Sequence, residues 1–105
     1  MSAQNRRNWE RFPLERPARL KVNNADHTRD ITDVSAGGAS LRGQVVGSSA
    51  DEIEIGLEDF GEFSATVVRQ WDNGFAVMFE IAEEDQYSLQ EDVESFMREN
   101  DLFRD

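Results

Sequence analysis

A β-hairpin is predicted most directly by residues 62–79, which read EFSATVVRQWDNGFAVMF. Asn73 and Gly74 favour a type I′ turn, since both tolerate the positive φ that this turn requires. Residues 62–70 before the turn are rich in β-branched and aromatic side chains, and apolar side chains alternate over residues 75–79 after it. Alternation with a period of two is typical of strands that bury one face, so two antiparallel strands are expected here.

Similar alternating segments precede this hairpin. The clearest is 52–58, where Ile53, Ile55 and Leu57 alternate with acidic or small residues. Clusters of Gly, Asn, Asp and Ser separate the segments, and in the cluster at 35–38 we expect the glycines to supply a positive φ. The predicted strands are 16–22, 28–34, 39–42, 52–58, 62–70 and 75–79.

The apolar period changes in the last quarter of the chain. Residues with helical spacing there are Leu89, Val93, Phe96 and Met97. They predict an amphipathic helix over residues 83–100. Ser88 and Glu91 fit a capping box, although a start near Glu83 fits equally well. Six strands followed by one helix predict an all-β fold with one helix, namely a six-stranded antiparallel β-barrel whose open end is capped by the C-terminal α-helix.

The length and composition set further limits. The 105 residues fit a single domain, which we divide into a flexible amino-terminal arm (1–15), the barrel (16–81) and the helix (83–100). Cysteine is absent, which excludes disulfides, thiolate metal sites and cysteine nucleophiles. The chain has no run of 18 apolar residues and no signal peptide, so a cytoplasmic protein that does not bind a membrane is expected.

Charge is distributed unevenly along the chain. The net charge is -11, but residues 1–21 carry six basic and two acidic groups, a net of +4, and residues 22–105 carry a net of -15. Long-range repulsion from an acidic protein disfavours extended binding to DNA, RNA or anionic membranes. An arginine cluster on such a protein indicates a compact anionic ligand or an acidic partner, unless the arm pairs with its own acidic body.

The residue types that most enzymes need are missing or badly spaced. His27 is the only histidine and lies beside a turn, so no Ser-His-Asp triad is expected. Most carboxylates fall on the predicted solvent face of strands, and Asp26, Asp30 and Asp33 lack the spacing of a calcium loop. A protein that is not an enzyme and holds no metal is therefore expected.

Two short motifs carry chemistry. Arg7 and Arg11 are four residues apart, with Arg6 beside them, and residues 33–38 read DVSAGG. Arginine forks match phosphate oxygens and the O6 and N7 acceptors of guanine. The Asp33 carboxylate can accept from guanine N1–H and N2–H₂, and Ser35 can donate or accept beside it. A ligand with both phosphates and guanines would satisfy the whole set.

The two motifs together resemble those of the PilZ domain family, with RRNWER at residues 6–11 followed by D-x-S-x-x-G at 33–38. The resemblance continues through the hairpin at 73–79 and the final helix. PilZ domains are bacterial β-barrel receptors for the second messenger cyclic di-GMP, which implies this ligand and no other cofactor. The resemblance implies that Arg7 and Arg11 bind phosphate and guanine.

The same resemblance assigns roles to the second motif. Asp33 and Ser35 would read guanine edges, and Gly38 would shape the turn. An arginine at the Arg6 position accompanies two stacked ligand molecules in parts of the family. The sequence departs from the family pattern in carrying acidic Glu10 inside the first motif and in having a short arm.

Three further residues have two interpretations each. Trp9 either stacks on a guanine or packs the arm against the barrel. Trp71 either stacks on a base or is a structural residue at the sheet edge, and Arg69 either adds a cation to the site or pairs with a glutamate on the strand face. Residues 12–14 would act as the hinge of an arm that orders around the ligand.

The function expected from the resemblance is that of a cyclic di-GMP effector. Its arm would change conformation on binding and signal to an unidentified partner protein, in motility, biofilm formation or a related bacterial output. The alternative is a ligand-independent PilZ-like adapter that uses its acidic surface. A third class, a nucleic-acid binder that uses the arm, would show steep salt dependence.

Overall fold

The computed structural model describes residues 9–47 and 51–100. Its elements are β1 (Phe12–Val22), β2 (Ala25–Ser35), β3 (Gly38–Arg42), β4 (Ile53–Leu57), β5 (Gly61–Trp71), β6 (Gly74–Phe79) and α1 (Glu83–Glu99). Neighbouring strands are antiparallel and close into a barrel in the order β1-β2-β3-β6-β5-β4. The prediction of a six-stranded antiparallel barrel with one carboxy-terminal helix is confirmed.

The barrel interior is filled by the apolar residues that alternate along the strands. Its largest fully buried side chains include Phe75, Leu20, Ile31, Leu41, Ile53 and Ile55. The helix adds Leu89, Val93 and Met97 to the same cluster. Burying one such side chain contributes roughly 1.5–3 kcal/mol, so this core makes the barrel a stable support for the residues on its outer face.

β1 begins earlier than the sequence predicted. Its first residue is Phe12 rather than residue 16, so residues 12–15 belong to the barrel and not to the arm. Phe12 and Leu14 are buried, and a register shift between Pro13 and Arg16 interrupts the pairing with β2. Buried residues nevertheless occupy every second position from Phe12 to Val22, except for Arg16, which is half-buried. This charged residue interrupts the apolar alternation, which is why the first residues of the strand were missed.

The tight turns also differ from expectation. Neither Asn73 nor Gly74 has positive φ, so the turn between β5 and β6 is not type I′. Gly74 instead belongs to β6, where an added Cβ would lie 2.5 Å from the Leu41 carbonyl oxygen. The hairpin with two positive φ values joins β1 to β2, at Asn23 (52°) and Asn24 (68°).

The helix begins at Glu83, and the interpretation of Ser88 and Glu91 as a capping box is wrong. Ala82 occupies the cap position without a side-chain hydrogen bond. Acidic residues fill the first turn and Arg98 lies in the last, an arrangement that complements the helix dipole. Within residues 9–47 and 51–100, no helix combines the length and apolar character required to cross a bilayer.

Candidate functional site

Arg11 and Asp33 form the centre of the candidate site. Arg11 directly precedes β1, and Asp33 lies in β2, where the pairing of Phe12 with Val34 brings the two strand ends together. The Arg11 Nη1 donates to Asp33 Oδ1 over 2.6 Å. Both side chains are partly exposed, at 47% and 32%. The antiparallel register thus unites two charged groups that are 22 residues apart in the sequence.

Ser35 stabilises the turn that follows Asp33. Ser35 is only 3% exposed, and its Oγ accepts a hydrogen bond from the Gly37 N–H over 3.1 Å. This bond closes a local Ser turn of the kind that competes with regular strand pairing. The hydroxyl therefore fixes the backbone of residues 35–38 beside the Asp33 carboxylate.

Gly38 is required by a close approach of β6 rather than by its φ. It pairs with Met78, and an added Cβ would overlap the carbonyl oxygen of Val77. The expectation that the glycines of this turn supply a positive φ is wrong, since neither Gly37 nor Gly38 has one. At Gly37 the nearest atom to an added Cβ is Trp9 Cδ1, at an ordinary contact distance of 3.6 Å.

A row of register partners crosses the outer face of the barrel from Asp33. Asp33 pairs with Ser40, Ser40 with Ala76, and Ala76 with Arg69. Three strand spacings separate the ends of this row, about 14 Å. The Arg69 guanidinium lies 5.9 Å from the centre of the Trp71 ring, within the range of a cation–π contact.

Trp71 lines a shallow groove on the same face. It is 44% exposed and shares the groove with Thr32, the neighbour of Asp33, and with Arg42 at the end of β3. Arg42 Nη2 also pairs with Glu15 Oε2 over 3.1 Å. Arg69 and Trp71 therefore lie together on the outer surface, three strand spacings from Asp33. Their predicted roles in ligand binding stay predictions.

Three helix residues that the sequence did not single out contact the site. Trp9 Nε1 donates to Gln86 Oε1 over 3.1 Å, and the Trp9 ring makes an edge contact with Tyr87, with centroids 5.1 Å apart. Gln90 bonds to the backbone of residues 10 and 36. Trp9 therefore packs against α1, and its predicted stacking on a guanine stays a prediction.

A signal for Gln90 existed in the sequence. Gln90 lies three and seven residues before Val93 and Met97, which places a polar amide on the buried face of the helix. A polar group in such a position needs hydrogen-bond partners. Arg6 and Arg7 lie outside the described residues, so their predicted roles stay predictions.

No metal site accompanies these groups in the described part of the chain, where no three His, Asp or Glu side chains are clustered to hold an ion. The site instead combines a guanidinium, a carboxylate and a hydroxyl-supported turn on a barrel surface. The sequence matches the PilZ domain family over residues 5–98. The chain belongs to the PilZ domain family.

Solved structures with the same fold are similar to this PilZ domain. PlzA of Borreliella burgdorferi, solved in complex with c-di-GMP, has 24% identity and a TM-score of 0.61, over 86% of this chain and 41% of PlzA. YcgR of Escherichia coli, also in complex with c-di-GMP, has 20% identity and a TM-score of 0.61, over 90% of this chain and 47% of YcgR.

A third similar structure is MrkH, described as a c-di-GMP-dependent transcription regulatory factor. It has 18% identity and a TM-score of 0.60, over 90% of this chain and 52% of MrkH. The chain thus spans about half the length of each of these three proteins. No curated protein sequence matches it.

Proposed function

We propose that this PilZ domain is a receptor for cyclic di-GMP and not an enzyme. The observation that carries the proposal is the 2.6 Å contact between Arg11 Nη1 and Asp33 Oδ1. It means that the two family motifs meet at one exposed corner of the barrel. Membership of the PilZ family, and the c-di-GMP complexes of PlzA and YcgR, support the choice of ligand.

The groups at this corner complement the ligand's chemistry. The Arg11 guanidinium can bind a phosphate, or the O6 and N7 of a guanine, through two parallel hydrogen bonds. The Asp33 carboxylate can accept from guanine N1–H and N2–H₂. Arg6 and Arg7 would add charge from the arm, as the family motif implies. Binding exchanges the Arg11–Asp33 pair for ligand contacts at small cost, because exposed ion pairs contribute only about 0–1 kcal/mol.

Trp71 and Arg69 would contact the far end of the ligand. The row from Asp33 to Arg69 spans about 14 Å, and an exposed Trp71 ring beside a guanidinium offers a face for base stacking. These two residues would therefore adjust affinity, with the main contacts made by Arg11 and Asp33.

The bound state would act on a partner protein. Ligand contacts to Arg11 would reorder the arm, and the altered surface would be recognised by a downstream protein in motility, biofilm formation or a related bacterial output. Neither DNA, RNA nor a membrane is required in this scheme. The second candidate is a ligand-independent adapter, which is favoured by the net charge of -15 over residues 22–105 and by the exposed Glu52, Glu54 and Glu58.

The test is calorimetric titration with cyclic di-GMP. Arg11→Ala should weaken binding tenfold to more than a hundredfold, since a hydrogen bond to a charged group contributes about 1.5–3 kcal/mol. Lys21→Ala is the matched control, because it removes one exposed positive charge at the opposite end of β1. Equal affinities of wild type and Arg11→Ala would contradict the site, and no heat with wild type would favour the adapter.

A further inference from the structure

A single buried amide connects the two halves of the candidate site. Gln90 is 5% exposed and lies on α1. Its Oε1 accepts from the Ala36 N–H over 2.9 Å, and its Nε2 donates to the Glu10 carbonyl oxygen over 3.1 Å. Ala36 is in the middle of the 33–38 motif, and Glu10 directly precedes Arg11. The two polar atoms of the Gln90 amide thus form hydrogen bonds with the backbone of both motifs, one atom with each.

These bonds are not replaceable by packing. Ala36 is completely buried, and its N–H points to the glutamine rather than to water. Burying a backbone donor without a partner is unfavourable. An apolar side chain at position 90 would fill the same space but would leave the Ala36 N–H without its acceptor and the Glu10 carbonyl without its donor. Gln90 is therefore needed on this apolar helix face to provide hydrogen-bond partners for these two backbone groups.

A second glutamine repeats the attachment one helical turn earlier. Gln86 lies four residues before Gln90 and so on the same side of α1. It accepts a hydrogen bond from Trp9 Nε1 over 3.1 Å. Trp9 in turn lies over the turn, with its Cδ1 3.6 Å from where a Gly37 Cβ would be. We call Gln86 and Gln90 the glutamine pair.

We propose that the glutamine pair consists of positioning residues for the ligand site, an inference that rests on the proposed function. By holding residues 9–10 and the turn at 35–38 to one rigid helix, the pair sets the separation of Arg11 and Asp33 before ligand arrives. Such preorganisation reduces the ordering cost of binding. Neither glutamine needs to touch the ligand, so its loss acts through Arg11 and Asp33.

Three variants separate positioning from general stability. Gln90→Met keeps the side-chain length but removes both hydrogen bonds, and Gln86→Met removes only the bond to Trp9. Val93→Ala is the matched control, because Val93 is fully buried on the same helix and its loss destabilises the core without touching either bond. Each variant is titrated with cyclic di-GMP at a temperature where it is fully folded.

Gln90→Met is expected to raise the Kd for cyclic di-GMP at least tenfold, while Val93→Ala stays within twofold of wild type. In ¹⁵N NMR spectra without ligand, Gln90→Met should shift the amide signals of Arg11 and Ala36, and Val93→Ala should not. If Gln90→Met does not fold, Gln86→Met carries the test, with an expected three- to tenfold increase in Kd.

Wild-type affinity in every glutamine variant that folds, together with lost affinity in Arg11→Ala, would overturn the positioning role and leave the proposed function standing. Absence of wild-type binding would overturn both. An equal loss of affinity in Gln90→Met and Val93→Ala would show that helix stability alone matters, and would also overturn the positioning role.

Discussion

The Arg11–Asp33 pair is the residue-scale feature with the clearest functional meaning. Both side chains are partly solvated, so their attraction is screened and contributes only about 0–1 kcal/mol to folding. A pair that adds so little to stability can be opened by a ligand without disturbing the barrel. Its two charges are then available to a ligand that has both an anionic and a hydrogen-bond-donating edge.

Removing the carboxylate should therefore separate binding from folding. Asp33→Ala is expected to change the free energy of unfolding, measured by urea denaturation, by no more than about 1 kcal/mol. The same variant should bind cyclic di-GMP at least tenfold more weakly, because guanine N1–H and N2–H₂ lose a charged acceptor. Unchanged affinity in calorimetry would remove Asp33 from the site.

Alanine substitutions at the adjacent positions Gly38 and Gly37 should have very different effects on stability. Gly38→Ala places a methyl group against the Val77 carbonyl, and such overpacking should lower the free energy of unfolding by about 1–3 kcal/mol. Gly37→Ala meets only ordinary contacts with Trp9 and Ser35 and should change it by less than about 0.5 kcal/mol. Thermal or urea denaturation decides between them, and equal losses would contradict the close approach of β6.

At the scale of elements, the sequence predicted what depends on local pattern. Alternation revealed the six strands, the helical spacing of Leu89, Val93 and Met97 revealed α1, and the barrel followed from their number. The start of β1 was missed because Arg16, a half-buried charged residue, interrupts the apolar alternation between Leu14 and Ala18.

The candidate site divides in the same way. The resemblance of the paired motifs to the PilZ family predicted Arg11 and Asp33 as site residues, and the register of β1 with β2 brings them into contact. The glutamine pair was missed because its contacts join residues 54 to 80 positions apart. A local sequence pattern does not predict which distant backbone groups will form hydrogen bonds with the side chains of a helix.

The early start of β1 leads to a prediction about the arm. Phe12 is 3% exposed and follows Arg11 directly, so its burial fixes where Arg11 leaves the barrel. Phe12→Ala should lower the free energy of unfolding by about 3–5 kcal/mol. Pro13→Ala, at an exposed neighbouring position, is the control and should cost much less. A small effect of Phe12→Ala in urea denaturation would contradict the assignment of residues 12–15 to the barrel.

At the scale of the whole molecule, the net negative charge of the protein repels an anionic ligand. The chain has a net charge of -11, and an anionic dinucleotide must approach against this field. Under the proposed function, binding would therefore depend on local arginines, whose contacts are short-ranged compared with the protein's overall repulsion. Double-stranded DNA would need many more phosphate contacts. We expect DNA to bind this protein no more tightly than it binds an acidic control protein.

Linkage between binding and folding supplies a test on the intact chain. A ligand that binds only the folded state at 100 times its Kd stabilises that state by about 2.7 kcal/mol. For a domain of this size, 1 kcal/mol corresponds to roughly 4–8 °C in Tm, so cyclic di-GMP should raise the Tm by on the order of 10 °C. GMP at the same concentration is the control, because it lacks the second guanine and the cyclic phosphate arrangement. The increase should disappear in the Arg11→Ala, Asp33→Ala double variant, and an equal increase with GMP or in that variant would place the ligand elsewhere on the barrel.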